Sequence, residues 1–215
     1  MIRGVFFDLD GTLVRYEGVP FESSWGALGA AAGVGDLWDA LLARYRGRAE
    51  LYHDWVRENA ALLRGVSVAR VIRELLPPPY ARGAPEAVAE LRESGYMLGI
   101  VSSGVSLVAD WVREDLHLAF ATANELLVAE GLFTGEAVVR VGLSGKLHVV
   151  EREAGRLGLS LSEIAFVGDH LNDIPVLRSV GLAIAYAPKD PLVADAARVV
   201  THEFGRVPEL VRSAS

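Results

Sequence analysis

Three short apolar stretches of the sequence end abruptly in polar or acidic residues. Residues 2–7 run into Asp8-Leu9-Asp10-Gly11-Thr12, residues 96–101 into Ser102-Ser103-Gly104, and residues 164–167 into Gly168-Asp169. Amphipathic patterns of helical period lie between them, at 107–116 and 147–157. This alternation predicts a doubly wound (Rossmann-like) α/β fold with a mostly parallel sheet. The carboxyl ends of such strands converge on one crevice, where we expect the functional site.

The segment from about residue 19 to residue 76 has a different character. Alanine, leucine, arginine and tryptophan recur there at helical spacing, without a β-branched run of strand length. One apolar helical stripe is predicted to consist of Leu37, Leu41, Leu42 and Tyr45. The prolines at 77–79 end the last helix. We therefore predict an α/β core of residues 1–16 and 80–215, with a small helical domain of residues 17–79 inserted after the first strand.

The composition argues against several classes of protein. Of the 215 residues 51% are hydrophobic, so the chain can bury a sizeable core. It has no cysteine, which excludes thiol nucleophiles, disulfides and cysteine zinc sites and fits a reducing compartment. A formal net charge of −7 argues against nucleic acid as a partner. The first apolar run is too short for a signal segment, and no run approaches the length of a membrane span. We therefore expect a soluble, cytoplasmic protein, and its oligomeric state stays open.

Four groups of polar residues are expected to meet at the crevice. They are Asp8 with Asp10, the hydroxyl of Ser102, Lys146, and the acidic segment 168–173. Lys146 is one of only two lysines in the chain, which favours a functional role over a surface position. Several carboxylates without a nearby histidine or cysteine pair select a hard, oxygen-binding cation, Mg²⁺ above all. Together with one lysine and one hydroxyl, such a cation suits the binding of a phosphate group.

These groups resemble the four motifs of the haloacid dehalogenase superfamily, in order and at similar spacing. The motifs are Asp8-Leu9-Asp10-Gly11-Thr12-Leu13, Ser102, Lys146 and Gly168-Asp169-x-x-Asn172-Asp173. The likeness covers nearly the whole chain and is strongest to the phosphoserine phosphatase branch, whose helical cap follows the first motif. It implies Mg²⁺-dependent hydrolysis of small phosphomonoesters through an aspartyl phosphate.

The resemblance also implies a role for each motif residue. Asp8 attacks phosphorus, while Asp10 protonates the leaving oxygen and then deprotonates the attacking water. Asp8, the backbone carbonyl of Asp10, and Asp169 would hold Mg²⁺. The phosphate-binding residues would be Ser102, Ser103, Lys146 and Asn172. The supporting residues would be Thr12, Gly104 and Asp173, the last of which positions the lysine.

Three residues on the cap side are candidates for substrate recognition. Glu17 matches a glutamate that holds the substrate ammonium in the phosphoserine branch, although it could equally be a charged hinge residue. Tyr52 falls near an aromatic cap position, or is simply part of the cap core. Asn59 stands where the branch has an arginine that pairs with the substrate carboxylate. An asparagine cannot make that bidentate, charged contact, so this departure counts against phosphoserine.

Other functions remain open at this point. One is hydrolysis or phosphoryl transfer on another small phosphorylated metabolite. A more distant one is a phospho-receiver switch, which is also doubly wound and also has an acidic magnesium site. The large helical insertion and the acid at Asp10 count against the switch, because a switch needs a long-lived phosphoaspartate. Multiple turnover would exclude it.

Overall fold

The strands of the described residues form one seven-stranded sheet. The computed structural model describes residues 1–19, 22–45 and 47–214. Its strands are β1 (Gly4–Phe7), β2 (Met97–Val105), β3 (Phe120–Ala129), β4 (Leu132–Val138), β5 (Ile164–Gly168), β6 (Leu182–Tyr186) and β7 (Val199–Thr201). They lie in the order β4-β3-β2-β1-β5-β6-β7. All neighbouring pairs are parallel except β3 and β4, which are antiparallel.

Helices cover both faces of this sheet and form the insertion. Those of the insertion are α1 (Ser24–Ala32), α2 (Gly35–Tyr45), α3 (Tyr52–Leu62) and α4 (Val68–Leu75). Those that follow are α5 (Ala84–Glu93), α6 (Ser106–Asp115), α7 (Lys146–Arg156), α8 (Ile174–Leu177), α9 (Pro191–Ala196) and α10 (Val207–Ser213). In the part of the chain that the structure describes, no helix is both long and apolar enough to cross a membrane.

The central strand β1 is buried on both faces. Successive side chains of a strand point to opposite faces, and here Val5 and Phe7 enter one apolar cluster while Phe6 enters the other. Two apolar layers on one parallel sheet are the property of a doubly wound fold, so the predicted fold class is confirmed. Because β1 lies between β2 and β5, the three polar strand ends are neighbours in space.

Strand β2 continues farther than the sequence pattern predicts. We expected it to end at residue 101, but it extends to Val105. Its pairing with β3 shifts register between Val101 and Val105, as at a bulge. Such an irregularity bends a strand and changes the direction of its side chains. The polar residues 102–104 therefore lie within the strand, at its bend.

In its described residues the insertion contains the four α-helices α1 to α4, where helical spacing predicted three or four. Its aromatic centre joins Trp25 with Trp38 and Trp55, at ring-centroid distances of 6.2 and 5.2 Å. The predicted stripe on α2 is wrong at Leu37, which is exposed, because the helix turns Trp38 inward instead. The division into two domains at residues 16/17 and 79/80 stays a proposal.

Gly29 and Gly155 provide a matched test of packing in the insertion. Both lie inside helices, but a Cβ on Gly29 would come within 2.8 Å of the Trp38 ring, whereas one on Gly155 would meet open space. We expect Gly155→Ala to raise the free energy of unfolding by about 0.5–1 kcal/mol through helix propensity. We expect Gly29→Ala to lower it by about 1–3 kcal/mol through overpacking. Denaturant unfolding measures both, and equal effects of the two substitutions would contradict the packing described here.

Candidate active site

Asp8 directly follows β1 and is a buried carboxylate of the crevice. Its side chain is 5% exposed. The Leu9 backbone N–H donates to its Oδ1 at 2.7 Å, and its Oδ2 lies 2.8 Å from the Lys146 Nζ. One oxygen of Asp8 is thus held by a backbone donor and the other by the lysine cation. A carboxylate fixed in this way cannot rotate freely.

Lys146 is the first residue of α7, and its side chain is fully buried between two carboxylates. Its Nζ lies 2.6 Å from Asp173 Oδ1, besides the contact with Asp8. Burial disfavours the ammonium form, but the charges of Asp173 and Asp8 outweigh it and raise the pKa of Lys146. The lysine therefore remains a cation at neutral pH.

Asp173 binds the lysine with one oxygen and fixes the conformation of the loop after β5 with the other. Its Oδ2 accepts hydrogen bonds from the backbone N–H groups of Asp169 and His170, each at 3.0 Å. A Cβ on Gly168 would come within 2.4 Å of this oxygen, so only glycine permits the close return of the loop. The supporting role predicted for Asp173 stays a proposal. The His170 side chain is exposed.

Three carboxylates converge beside the lysine. Oxygen atoms of Asp8, Asp169 and Asp173 all lie within 4.8 Å of one another. Burial, together with the charges of Asp8 and Asp173, raises the pKa of Asp169 well above its usual range, and Thr12 Oγ1 donates to its Oδ1 at 2.9 Å. With one lysine among three carboxylates, the ionised cluster carries two uncompensated negative charges. An all-oxygen donor set with this excess charge fits a hard divalent cation.

The turn after β1 depends on a glycine. Gly11 has a φ of +84°, a left-handed conformation that favours glycine, and a Cβ there would lie 2.2 Å from an Asp169 oxygen. The residue type at this position therefore lets the first and fourth motifs approach each other closely.

Asp10 is not part of the carboxylate cluster and contacts the insertion instead. Its two oxygens accept hydrogen bonds from the backbone N–H and the hydroxyl of Ser24, at 2.8 and 2.6 Å. Burial raises the pKa of Asp10 to about 7, even though the Ser24 donors act in the opposite direction. A carboxyl group that titrates near neutral pH can both donate and accept a proton under ordinary conditions.

The serines at the bend of β2 lie beside the acidic cluster. Ser102 is buried, and its Oγ accepts a hydrogen bond from the Gly104 N–H at 3.1 Å. Ser103 Oγ accepts one from Asn172 Nδ2 at 3.1 Å, which ties the second motif to the fourth. Gly104 itself lies so close to Asp10 that a Cβ would be 2.5 Å from Oδ2. The structure thus brings Ser103 and Asn172 into contact, and phosphate binding by the predicted residues stays a proposal.

The three cap-side candidates have different surroundings. Tyr52 is buried and its hydroxyl donates to the Ser103 carbonyl, so it reaches the site. Asn59 is fully buried, and its Nδ2 donates to the Trp55 carbonyl at 2.8 Å. Its Oδ1 has no hydrogen-bond partner among the residues that the structure describes. Glu17 is exposed. Their roles in substrate binding stay proposals.

Three residues of the site were missed at the level of sequence. Ser24 holds Asp10, while Trp25 Nε1 and Asn124 Nδ2 donate to the Ser103 carbonyl at 3.0 and 2.8 Å. Asparagine occurs only three times in the chain, and that rarity could have drawn attention to Asn124. Ser24 and Trp25 have no comparable distinguishing feature.

Comparison with known proteins agrees with this geometry. Residues 5–178 match the haloacid dehalogenase-like hydrolase family, and the chain belongs to that family. A phosphoserine phosphatase of Archaeoglobus fulgidus is 35% identical over 90% of this chain and 55% of its own length. One of Polaromonas sp. is 31% identical over 97% of this chain and 89% of its own. The chain spans about half the length of some of these curated relatives, such as that of Streptomyces coelicolor, of which it covers 47%.

Solved structures show the same likeness. A phospho-aspartyl intermediate analogue of phosphoserine phosphatase superposes with a TM-score of 0.77 at 26% identity, over 94% of either chain. A substrate-bound phosphoserine phosphatase complex superposes with a TM-score of 0.80 at 25% identity, over 99% of this chain and 98% of that one.

The excess negative charge at Asp169 generates a testable prediction about metal binding. With chelator present, Asp169→Asn should raise the melting temperature, because it removes a carboxylate that repels Asp8 and Asp173. In the native protein Mg²⁺ should raise the melting temperature, by the equivalent of about 2.7 kcal/mol at a hundredfold excess over Kd. Asp169→Asn should lose most of that rise.

Asp110→Asn is the matched control for this experiment. Asp110 is another carboxyl whose pKa is raised by burial, but it lies outside the acidic cluster. Its substitution should leave the Mg²⁺-induced rise intact. A full rise in Asp169→Asn, or its loss in Asp110→Asn, would mean that the cation binds elsewhere. Differential scanning calorimetry measures all of these shifts.

Proposed function

We propose that this protein is a Mg²⁺-dependent phosphomonoester hydrolase that works through an aspartyl phosphate on Asp8. The observation that carries the proposal is the fully buried Lys146 ammonium between Asp8 and Asp173, two of the three carboxylates that cluster there with Asp169. A buried cation next to a cation-binding cluster can accept a dianionic phosphoryl group that carboxylates alone would repel.

Asp8 is the proposed nucleophile. A carboxylate is a weak nucleophile toward an anionic phosphate, so the charge on the phosphoryl oxygens must be neutralised. Mg²⁺, held by Asp8, Asp169 and the backbone carbonyl of Asp10, would supply part of that neutralisation when bound. Lys146 supplies another part and also holds the second oxygen of Asp8 in place.

The phosphoryl oxygens are proposed to bind at the bend of β2 and at the lysine. Ser102 and Ser103 offer hydroxyls there, and Asn172 already contacts the Ser103 hydroxyl. Asp173 keeps the lysine in place, while Thr12 and Gly104 maintain the geometry of Asp169 and Asp10. These hydrogen-bond donors would surround one anionic phosphoryl group.

Asp10 is the proposed proton carrier. It lies two residues beyond the nucleophile, with a pKa near 7 caused mainly by burial. In its protonated form it can donate to the leaving alkoxide, and as a carboxylate it can then take a proton from the water that attacks the aspartyl phosphate. Two easier displacements thereby replace one difficult one.

The proposed substrate is a small phosphorylated metabolite, with phosphoserine as the first candidate. The support is the likeness to proteins described as phosphoserine phosphatases, including one with bound substrate. On this proposal Glu17 would hold the ammonium group and Tyr52 would border the pocket. A different small phosphomonoester is the second candidate, because the Asn59 side chain is neutral and is tied back to the Trp55 carbonyl.

Substitution of each aspartate of the first motif tests the proposed reaction. Asp8→Asn should abolish turnover of every substrate, because no aspartyl phosphate can form. Asp10→Asn keeps the nucleophile but lacks the proton carrier. With nitrophenyl phosphate, whose leaving group needs no proton, it should release a burst of about one nitrophenolate per active site and then turn over slowly. Rapid-mixing absorbance records that burst.

Phosphoserine provides the contrast, because its alkoxide must be protonated as it leaves. Asp10→Asn should therefore show a slow first step and little or no burst of serine. Equal losses on both substrates without a burst on either would assign Asp10 to positioning the metal instead. Multiple turnover by the native protein would exclude a phospho-receiver switch, and full activity after exhaustive chelation would overturn the requirement for metal.

A further inference from the structure

Ser24, the first residue of α1, makes two hydrogen bonds with Asp10. Its backbone N–H donates to Asp10 Oδ1 at 2.8 Å, and its hydroxyl donates to Oδ2 at 2.6 Å. We propose that Ser24 is the positioning residue of the proton carrier. Ser24 fixes the carboxyl plane of Asp10, so this orientation depends on the packing of α1 against the core. This inference rests on the proposed function.

The direction of the Ser24 hydroxyl is determined by a third contact. The backbone N–H of Val105, at the end of β2, donates to Ser24 Oγ at 3.2 Å. Since the Val105 N–H occupies a lone pair of Ser24 Oγ, the hydroxyl proton of Ser24 is free to be donated to Asp10. The backbone N–H of Ser24 is also available, because the first N–H groups of a helix have no acceptor within it. Both donors are therefore aimed at the carboxylate without competition.

The packing around this contact leaves little room for another arrangement. Ser24 is fully buried. A Cβ on Gly104 would lie 2.5 Å from Asp10 Oδ2 and 2.7 Å from Ser24 Oγ, so the β2 backbone closes over the pair. Asp10 is thus enclosed by its own turn, by β2 and by α1. Removal of the Ser24 hydroxyl would leave one carboxylate oxygen without its partner in a buried place.

The same helix start also contacts the neighbouring motif. Trp25 Nε1 donates to the Ser103 carbonyl at 3.0 Å, and Ser103 adjoins Ser102. A movement of α1 away from the core would withdraw donors from Asp10 and from the Ser103 carbonyl together. Asp10 is therefore held in this orientation only while α1 packs against the core. Water would enter at the same moment that the orientation is lost.

The test compares first-turnover rates for two substrates in Ser24→Ala. Release of serine from phosphoserine requires a correctly placed acid, whereas release of nitrophenolate does not. We expect the first step with phosphoserine to slow by about tenfold or more, and the nitrophenolate burst to change by less than about threefold. KM for either substrate should change little, because Ser24 is not proposed to contact substrate. Quenched-flow measurement gives both rates.

Two controls separate this role from general destabilisation of the helix start. Ser23 is the N-cap of α1, and its Oγ accepts from the Gly26 N–H without a contact to Asp10. Ser23→Ala should lower the melting temperature yet leave the ratio of the two rates unchanged. Ser24→Thr and Ser24→Val have the same shape and differ only in the hydroxyl. The threonine variant should keep the native ratio and the valine variant should lose it, even if Ser24→Ala does not fold.

A double-mutant cycle makes the test specific to Asp10. In the Asp10→Asn background, Ser24→Ala should slow phosphoserine turnover by less than about twofold further, because its effect acts through the missing carboxyl. Equal slowing of both substrates, additive effects with Asp10→Asn, or identical threonine and valine variants would overturn the role of Ser24. A native protein that hydrolyses neither substrate would instead overturn the proposed function, and the role of Ser24 with it.

Discussion

The buried ammonium group of Lys146 is the interaction on which the rest of the site depends. A charge removed from water is costly unless partners compensate it, and leaving one partner of a buried pair alone costs about 3–5 kcal/mol. The partners here come from separate parts of the sequence, Asp8 after β1 and Asp173 after β5. The parallel pairing of those two strands brings both carboxylates to one end of α7. This single cation does not balance the three carboxylates of the cluster, so the cluster stays suited to a metal ion.

Much of this arrangement could be predicted from the sequence because it follows from the geometry of parallel sheets. Apolar strands that end in polar residues deliver them to one edge, so Asp8, Ser102 and Asp169 were expected together. Lys146 was recognisable since lysine is so rare in the chain. The strand end at residue 101 was predicted wrongly, because a bulge allows β2 to continue through polar residues to Val105. Alternation of apolar and polar residues does not reveal such a bulge.

The contacts between insertion and core could not be predicted, because they join residues far apart in sequence through single hydrogen bonds. Ser24 and Trp25 resemble any helix start, yet they hold Asp10 and the Ser103 carbonyl. The inward turn of Trp38 rather than Leu37 likewise depends on the neighbouring helices and not on the period of α2 alone. Helical periodicity identifies an apolar face only approximately. The residues proposed to recognise the substrate, Tyr52 and Glu17, lie in this least predictable part of the molecule.

The central claim is that the phosphoryl group of the substrate is transferred to Asp8, which forms a covalent aspartyl phosphate. Borohydride reduces an acyl phosphate to an alcohol, so it marks the carboxylate that carried the phosphoryl group. Asp10→Asn, in which the intermediate should accumulate, would be mixed with nitrophenyl phosphate and Mg²⁺, quenched in acid and reduced, and its peptides analysed by mass spectrometry. The account predicts a reduced side chain at position 8 and at no other carboxylate. Reduction at Asp169 or Asp173, or hydrolysis by the native protein without any reduced residue in either protein, would contradict it.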